Sequence, residues 1–201
     1  MKKAVLGVCA LTLASMAAPA LAADAESPWL VRVRALHMEV DNGNSPKAGV
    51  SLDDKTFPEV DISYFFSKNV AAELILTYPQ KHDVHLKGVG NIGSIKHLPP
   101  TLTLQYHFMP ESNFKPYIGA GINYTRLTSV DIDVPGVRVD RNSFGFAVQA
   151  GFDYKLTKNW YLNVDVKYVD IDTDVKRAGV GKLTTLKVDP FLYSVGIGYR
   201  F

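Results

Sequence analysis

The chain has 201 residues, enough for one domain with a sizeable core. Its 22 basic and 20 acidic side chains nearly balance, so there is no concentrated basic surface of the kind a nucleic-acid partner needs. With a single cysteine, Cys9, an internal disulfide framework is excluded.

Residues 1–22 read as a secretory leader. Lys2 and Lys3 precede an apolar run that closes on Ala20-Leu21-Ala22, the charged start, greasy middle and small-residue ending of a cleaved signal peptide. The run is nearly long enough to serve as an uncleaved anchor, but Pro19 and the Ala-x-Ala ending favour cleavage. Only five residues separate Lys3 from Cys9, too few for a lipoprotein signal. The mature chain, 23–201, then has no cysteine and 20 charges of each sign. It contains no apolar run long enough for a membrane helix.

Eight segments alternate with period 2. The first, Trp29–Val40, sets Trp29, Val31 and Val33 against Arg32, Arg34 and Leu36. Glu59–Phe66 sets Val60, Ile62 and Tyr64 against Glu59, Asp61 and Ser63. Val70–Tyr78 opposes Leu74 and Leu76 to Glu73, and Thr101–Phe108 opposes Leu102, Leu104 and Tyr106 to Thr103, Gln105 and His107. Tyr117–Leu127 is glycine-rich on one face. Ser143–Leu156 carries Phe144, Phe146 and Val148 against Gln149 and Asp153, and Trp160–Ile171 sets Leu162, Val164 and Val166 against Asn163, Asp165 and Lys167. Phe191–Phe201 ends the chain on Tyr199, Arg200 and Phe201.

Short links (67–69, 109–115, 157–159) alternate with long ones (41–58, 79–100, 128–142, 172–187). This alternation puts every short turn, and both termini, at one end of an up-and-down sheet. The expected fold is therefore all-β: an eight-stranded antiparallel up-and-down transmembrane β-barrel, in one domain. The greasy face must look outward. About six apolar residues on each of several strands would overfill so narrow a lumen, and Trp29, Phe66, Phe108, Tyr154, Trp160, Tyr199 and Phe201 gather at the short-turn end like an interfacial aromatic girdle. Lipid then covers Phe201, and closure leaves no unpaired edge in the bilayer. The expected location is the bacterial outer membrane, with periplasmic termini and extracellular long loops. Tyr199 and Phe201 are expected to be read by the outer-membrane assembly machinery.

HLPPTL (97–102), KPYIGAGINYT (115–125), YVDIDT (168–173) and VDPFLYSVGIGYRF (188–201) go beyond a generic barrel. Together they resemble the outer membrane protein W (OmpW) family over the whole mature chain. The resemblance implies passage of small hydrophobic molecules, with no cofactor and no enzymatic activity.

The lumen residues Arg32, Arg34, Glu73, Gln105, His107, Gln149, Asp153, Asp165 and Lys167 are expected to pair among themselves and fill the tube. A charged plug of this kind would also reject polar solutes. Toward the long-loop end the inward series turns apolar at Leu36, Met38 and Val40, joined by Val169 and Ile171, which suggests a vestibule or plain packing beneath the loops. Pro79, Pro99 and Pro100 sit where adjacent segments leave the membrane. They either end those strands or open a lateral gap through which a greasy solute reaches lipid. His82, His85 and His97 do not have the spacing of a metal site, and Ser94 near His97 is a weak hint of a lipid-modifying enzyme. The expected function is passive diffusion of small hydrophobic solutes through a monomeric barrel; the alternative is a structural barrel whose loops bind partners.

Overall fold

A computed structural model of the chain describes residues 26–40, 50–86, 88, 90–132, 137–177, 181–187 and 189–201. The leader expected at 1–22 lies outside them. The strands, in chain order, are β1 (Trp29–Glu39), β2 (Val50–Leu52), β3 (Lys55–Phe65), β4 (Val70–Thr77), β5 (Gln80–Leu86), β6 (Gly90–Leu98) and β7 (Thr101–His107). They continue with β8 (Phe114–Ile132), β9 (Val137–Val139), β10 (Asn142–Lys155), β11 (Trp160–Val169), β12 (Asp172–Arg177), β13 (Gly181–Lys187) and β14 (Phe191–Arg200).

Eight of these close into a ring in the order β1, β3, β4, β7, β8, β10, β11, β14, with β14 returning to β1, every pair antiparallel. Closure satisfies the wall's backbone groups without an open edge, the condition for a sheet to cross a bilayer. The last rung is sealed by the Phe201 amide, which donates to the Trp29 carbonyl at 3.3 Å. Inward and outward residues alternate without a break along β7, where Thr101, Thr103, Gln105 and His107 are buried and Leu102, Leu104 and Tyr106 are exposed.

Among the described residues thirty large apolar side chains are exposed, so the outer face is an apolar band made for lipid. At the short-turn end the rings meet edge to face: Trp29 with Tyr64 at 4.8 Å, Trp160 with Tyr199 at 5.1 Å and Tyr199 with Phe201 at 5.1 Å. A second set, Tyr78, Tyr124, Phe144 and Phe191, marks the long-loop end.

The long connections are more ordered than the alternation suggests. In the connection after β4, β5 and β6 pair as a hairpin, and β6 continues along β8, which runs to Ile132 rather than Leu127. β12 and β13 make a second hairpin joined by β9. The second barrel strand begins at Lys55 instead of Glu59, because Lys55 to Pro58 still pair with β1.

Candidate functional site

From the short-turn end upward, the lumen has three levels. At the lower mouth, Glu26 accepts hydrogen bonds from Arg200 (2.8 Å) and Lys155 (2.8 Å) and lies 3.7 Å from Lys115. Arg200 also donates to the Ser27 carbonyl at 2.7 Å and stacks over the Phe65 ring at 4.2 Å. Partial burial pushes the Glu26 carboxyl up, but the Lys155 hydrogen bond and the charges of Arg200 and Lys115 outweigh it and hold it below the usual carboxylate range. Beneath the barrel's own charges this latch borders a polar cavity of about 450 Å³.

The middle level is the plug. Arg32 donates to Asp153 through Nε (3.0 Å) and Nη2 (2.7 Å), and through Nη1 to Asp61 (2.8 Å), Ser63 (2.8 Å) and Glu73 (3.2 Å). Arg34 reaches Glu59 at 2.6 Å and Asp61 at 3.1 Å. Lys167 lies 3.6 Å from Glu59 and 3.8 Å from Asp165. Gln149 donates to Glu73 at 2.8 Å, and the Gln105 side-chain oxygen lies 3.1 Å from His107 Nε2. Each of the eight charged groups is at most 2% exposed. The forked guanidinium explains why arginines occupy the centre, since each can serve several carboxylates at once. Five carboxylates (Glu59, Asp61, Glu73, Asp153, Asp165) face only three cations.

Sequence reasoning missed the role of Tyr117, which is 1% exposed and donates to Asp165 at 2.9 Å. Its ring fits because residue 151 is glycine; a Cβ there would stand 2.6 Å from the Tyr117 hydroxyl. Gly196 likewise leaves room for Arg34, since a Cβ there would stand 2.8 Å from the Arg34 Cγ.

Above the plug the lumen turns apolar. Leu36, Met38, Phe57, Ile75, Val169, Ile171 and Leu192 line a cavity of about 30 Å³, with room for little more than water. Of the residues expected there, Leu36, Met38, Val169 and Ile171 meet in this chamber. Val40 is buried just above it, with its amide donating to Asp54 at 3.0 Å, outside the lining. Phe57, Ile75 and Leu192 went unnoticed, although each is in phase with an inward polar residue on its own strand.

The chamber also touches Thr77, Pro99 and Thr101. Here the wall thins. The β4–β7 ladder ends at Ile75 opposite Thr101, just below Pro99 and Pro100. On the other side of β4 the ladder with β3 ends at Glu59 opposite Thr77. The Phe66 amide points at β4, bonding Val70, so by strict alternation residue 58 points there too. Being proline, it has no amide hydrogen to offer. Pro99 lines the chamber. Pro100 accepts from the Tyr124 amide at 3.1 Å, and exposed Pro79 stands outside, between β4 and β5. From within, Asn123 donates to Thr101 at 2.8 Å and covers the Pro99 and Pro100 carbonyls.

The side chains of His82, His85 and His97 lie outside the described residues. Among the described residues no three His, Cys, Asp or Glu side chains are grouped to hold a metal.

Residues 29–201 match the OmpW family. An uncharacterized outer-membrane protein of Sinorhizobium fredii, y4mB, is 40% identical over 96% of this chain and 91% of its own length. The dibenzothiophene metabolism operon protein PahQ of Pseudomonas aeruginosa is 27% identical over 88% of this chain and 90% of its own. The crystal structure of the outer membrane protein OprG from Pseudomonas aeruginosa superposes with a TM-score of 0.73 at 31% identity, covering 88% of this chain and 97% of OprG. With its closed ring, outward apolar band and these relatives, the chain belongs to the OmpW family of outer-membrane barrels.

Proposed function

We propose that the barrel is a passive conduit for small hydrophobic molecules, which enter from the long-loop end into the apolar chamber and leave sideways into the bilayer. The observation that carries this reading is the position of the chamber. It sits on a plug of packed charges, and its lining includes Thr77, Pro99 and Thr101, where the β4–β7 ladder has ended.

The plug opposes onward movement of an apolar solute. Such a solute gains nothing from Arg32, Arg34 and their carboxylates, and displacing them would strip paired charges of their partners. The wall beside β4 is the easier exit, because fewer backbone hydrogen bonds hold it and lipid waits outside. At about 30 Å³ the chamber is too small for such a solute, so passage requires Leu36, Met38 and Phe57 to repack around it. Unbranched Met38 suits that role. A relative named for a dibenzothiophene metabolism operon fits an apolar, ring-bearing cargo.

In this reading the termini and short turns are periplasmic and the long connections extracellular. Tyr199 and Phe201 present the terminal signal to the assembly machinery, and one barrel suffices for transport. No cofactor or catalytic step is involved.

The test is uptake into proteoliposomes carrying the mature protein, comparing a poorly permeant apolar solute with a sugar. Acceleration of the apolar solute alone is expected. No acceleration of either would overturn the conduit and leave a barrel that presents its loops to partners.

A further inference from the structure

The outer wall carries a cluster that neither the plug nor the chamber uses. At the long-loop rim, Lys81 of β5 stands directly opposite Lys96 of β6, and both are exposed. Gln80, next to Lys81, is fully buried, so Lys81 faces outward. Two residues from Lys96, Leu98 stands opposite exposed Arg126 of β8. Arg126 follows Tyr124 by two on the same lipid-facing series. Lys81, Lys96, Leu98 and Arg126 thus share one outward face across three adjacent strands, which are about 4.8 Å apart. Behind them Lys55, in the inward row of Phe57 and Glu59, donates from Nζ to the Lys81 carbonyl at 2.7 Å.

Two lysines directly opposite each other weaken a ladder. On this face of the hairpin the described carboxylate is Asp83, two residues beyond Lys81. The surplus of positive charge begins where the apolar band ends, above Tyr124 and Leu102.

We propose that this rim is a binding site for a phosphorylated glycolipid of the outer leaflet. Its phosphates sit among Lys81, Lys96 and Arg126, and its acyl chains lie on Leu98, Tyr124 and Leu102. Exposed lysines hold a soluble anion weakly. An anion whose chains also cover the apolar band gains both contacts at once. The site adjoins the upper end of β7, so the bound lipid stands beside the thin part of the wall. The inference rests on the orientation proposed above, with the long connections outward.

The experiment is a native mass-spectrometric titration of the full barrel in detergent, with EDTA, using bis-phosphorylated lipid A. Lipid A is expected to bind the native protein and to bind the K81Q/K96Q variant about tenfold more weakly, as charge-assisted contacts to phosphate are lost. K158Q, which removes an exposed lysine at a short turn, should leave affinity unchanged. Two arms need only the native protein and stand even if the double variant misfolds. Phosphate-free lipid A should bind as weakly as lipid A binds the variant, and millimolar inorganic phosphate should fail to displace lipid A. Equal binding by K81Q/K96Q, equal binding of the phosphate-free lipid, or displacement by free phosphate would each overturn the proposal. Binding in detergent depends on neither orientation nor transport, so this site and the conduit fail separately.

Discussion

Arg32 and Leu36 stand four residues apart on β1, and both are at most 1% exposed, yet they are held by opposite means. Arg32 is fixed by hydrogen bonds to Asp61, Ser63, Glu73 and Asp153, contributed by three other strands. Leu36 is held by contact with other apolar side chains around a small cavity. Directed, charge-assisted bonds tolerate little displacement, whereas dispersion contacts reform in many arrangements. The lower lumen is therefore rigid and the upper lumen adaptable. The proposed conduit would use both properties, in that vertical order.

The sharpest way to break this comparison is to remove the hub of the plug. Arg32→Met takes the shared cation away from Asp61, Glu73 and Asp153 in a buried space and should cost about 3–5 kcal/mol, read as a lowered urea midpoint for vesicle-inserted barrel. A change below about 1 kcal/mol would mean the carboxylates find other partners. Leu36→Ala, in the upper half, should cost less, about 2–3 kcal/mol, while speeding apolar uptake and leaving the sugar excluded. Slower uptake in this variant would show that packing around Leu36 is required, not merely displaced, during passage.

Charge sign sharpens the comparison further. The plug holds five carboxylates and three cations, so it should tolerate losing an acid far better than losing a base. Asp165→Asn keeps an acceptor for the Tyr117 hydroxyl and relieves the surplus; its expected effect on the urea midpoint is below about 1 kcal/mol. A loss as large as that of Arg32→Met would refute the charge count as the governing quantity.

The smallest effect concerns the latch at the lower mouth. The Glu26 carboxyl is held below its usual range in the folded protein, so its contribution is complete above the unfolded value near 4.5 and disappears as pH falls through the lower folded value. The Ser27 amide resonance in micelles should shift in that acid window and stop doing so in Glu26→Gln. The same shift in the variant would assign the transition to another group.

Much of the wall was legible from the chain alone. A lipid-facing strand must alternate, and Thr101–Phe108 does so without exception, so the eight barrel segments could be read in order. Lys55 to Pro58 escaped because proline signals the end of a strand; here it sits on the side where β4 has already stopped pairing. The hairpins above the membrane escaped because they carry no continuous apolar face, and their pairing is set by backbone register instead. Within the lumen, residue type identified Arg32, Arg34 and Asp153 as partners in waiting. Glu26 precedes the first strand and gains its role only when β8, β10 and β14 bring Lys115, Lys155 and Arg200 to it. Phe57 and Leu192 were readable by phase, since they continue the inward rows of Glu59 and Ser194, but an apolar residue pointing inward runs against the expectation of a polar lumen.

The most direct test of lateral release is to close the wall beside β4. Thr77 and Pro99 both line the chamber at the end of the β4–β7 ladder, so a T77C/P99C pair in residues 23–201, which otherwise contain no cysteine, can be joined and released by oxidant and reductant. Uptake of the apolar solute into proteoliposomes should fall to the protein-free rate when the pair is oxidised and recover when it is reduced. Undiminished uptake through the oxidised barrel would contradict release through this wall and send the solute by another route.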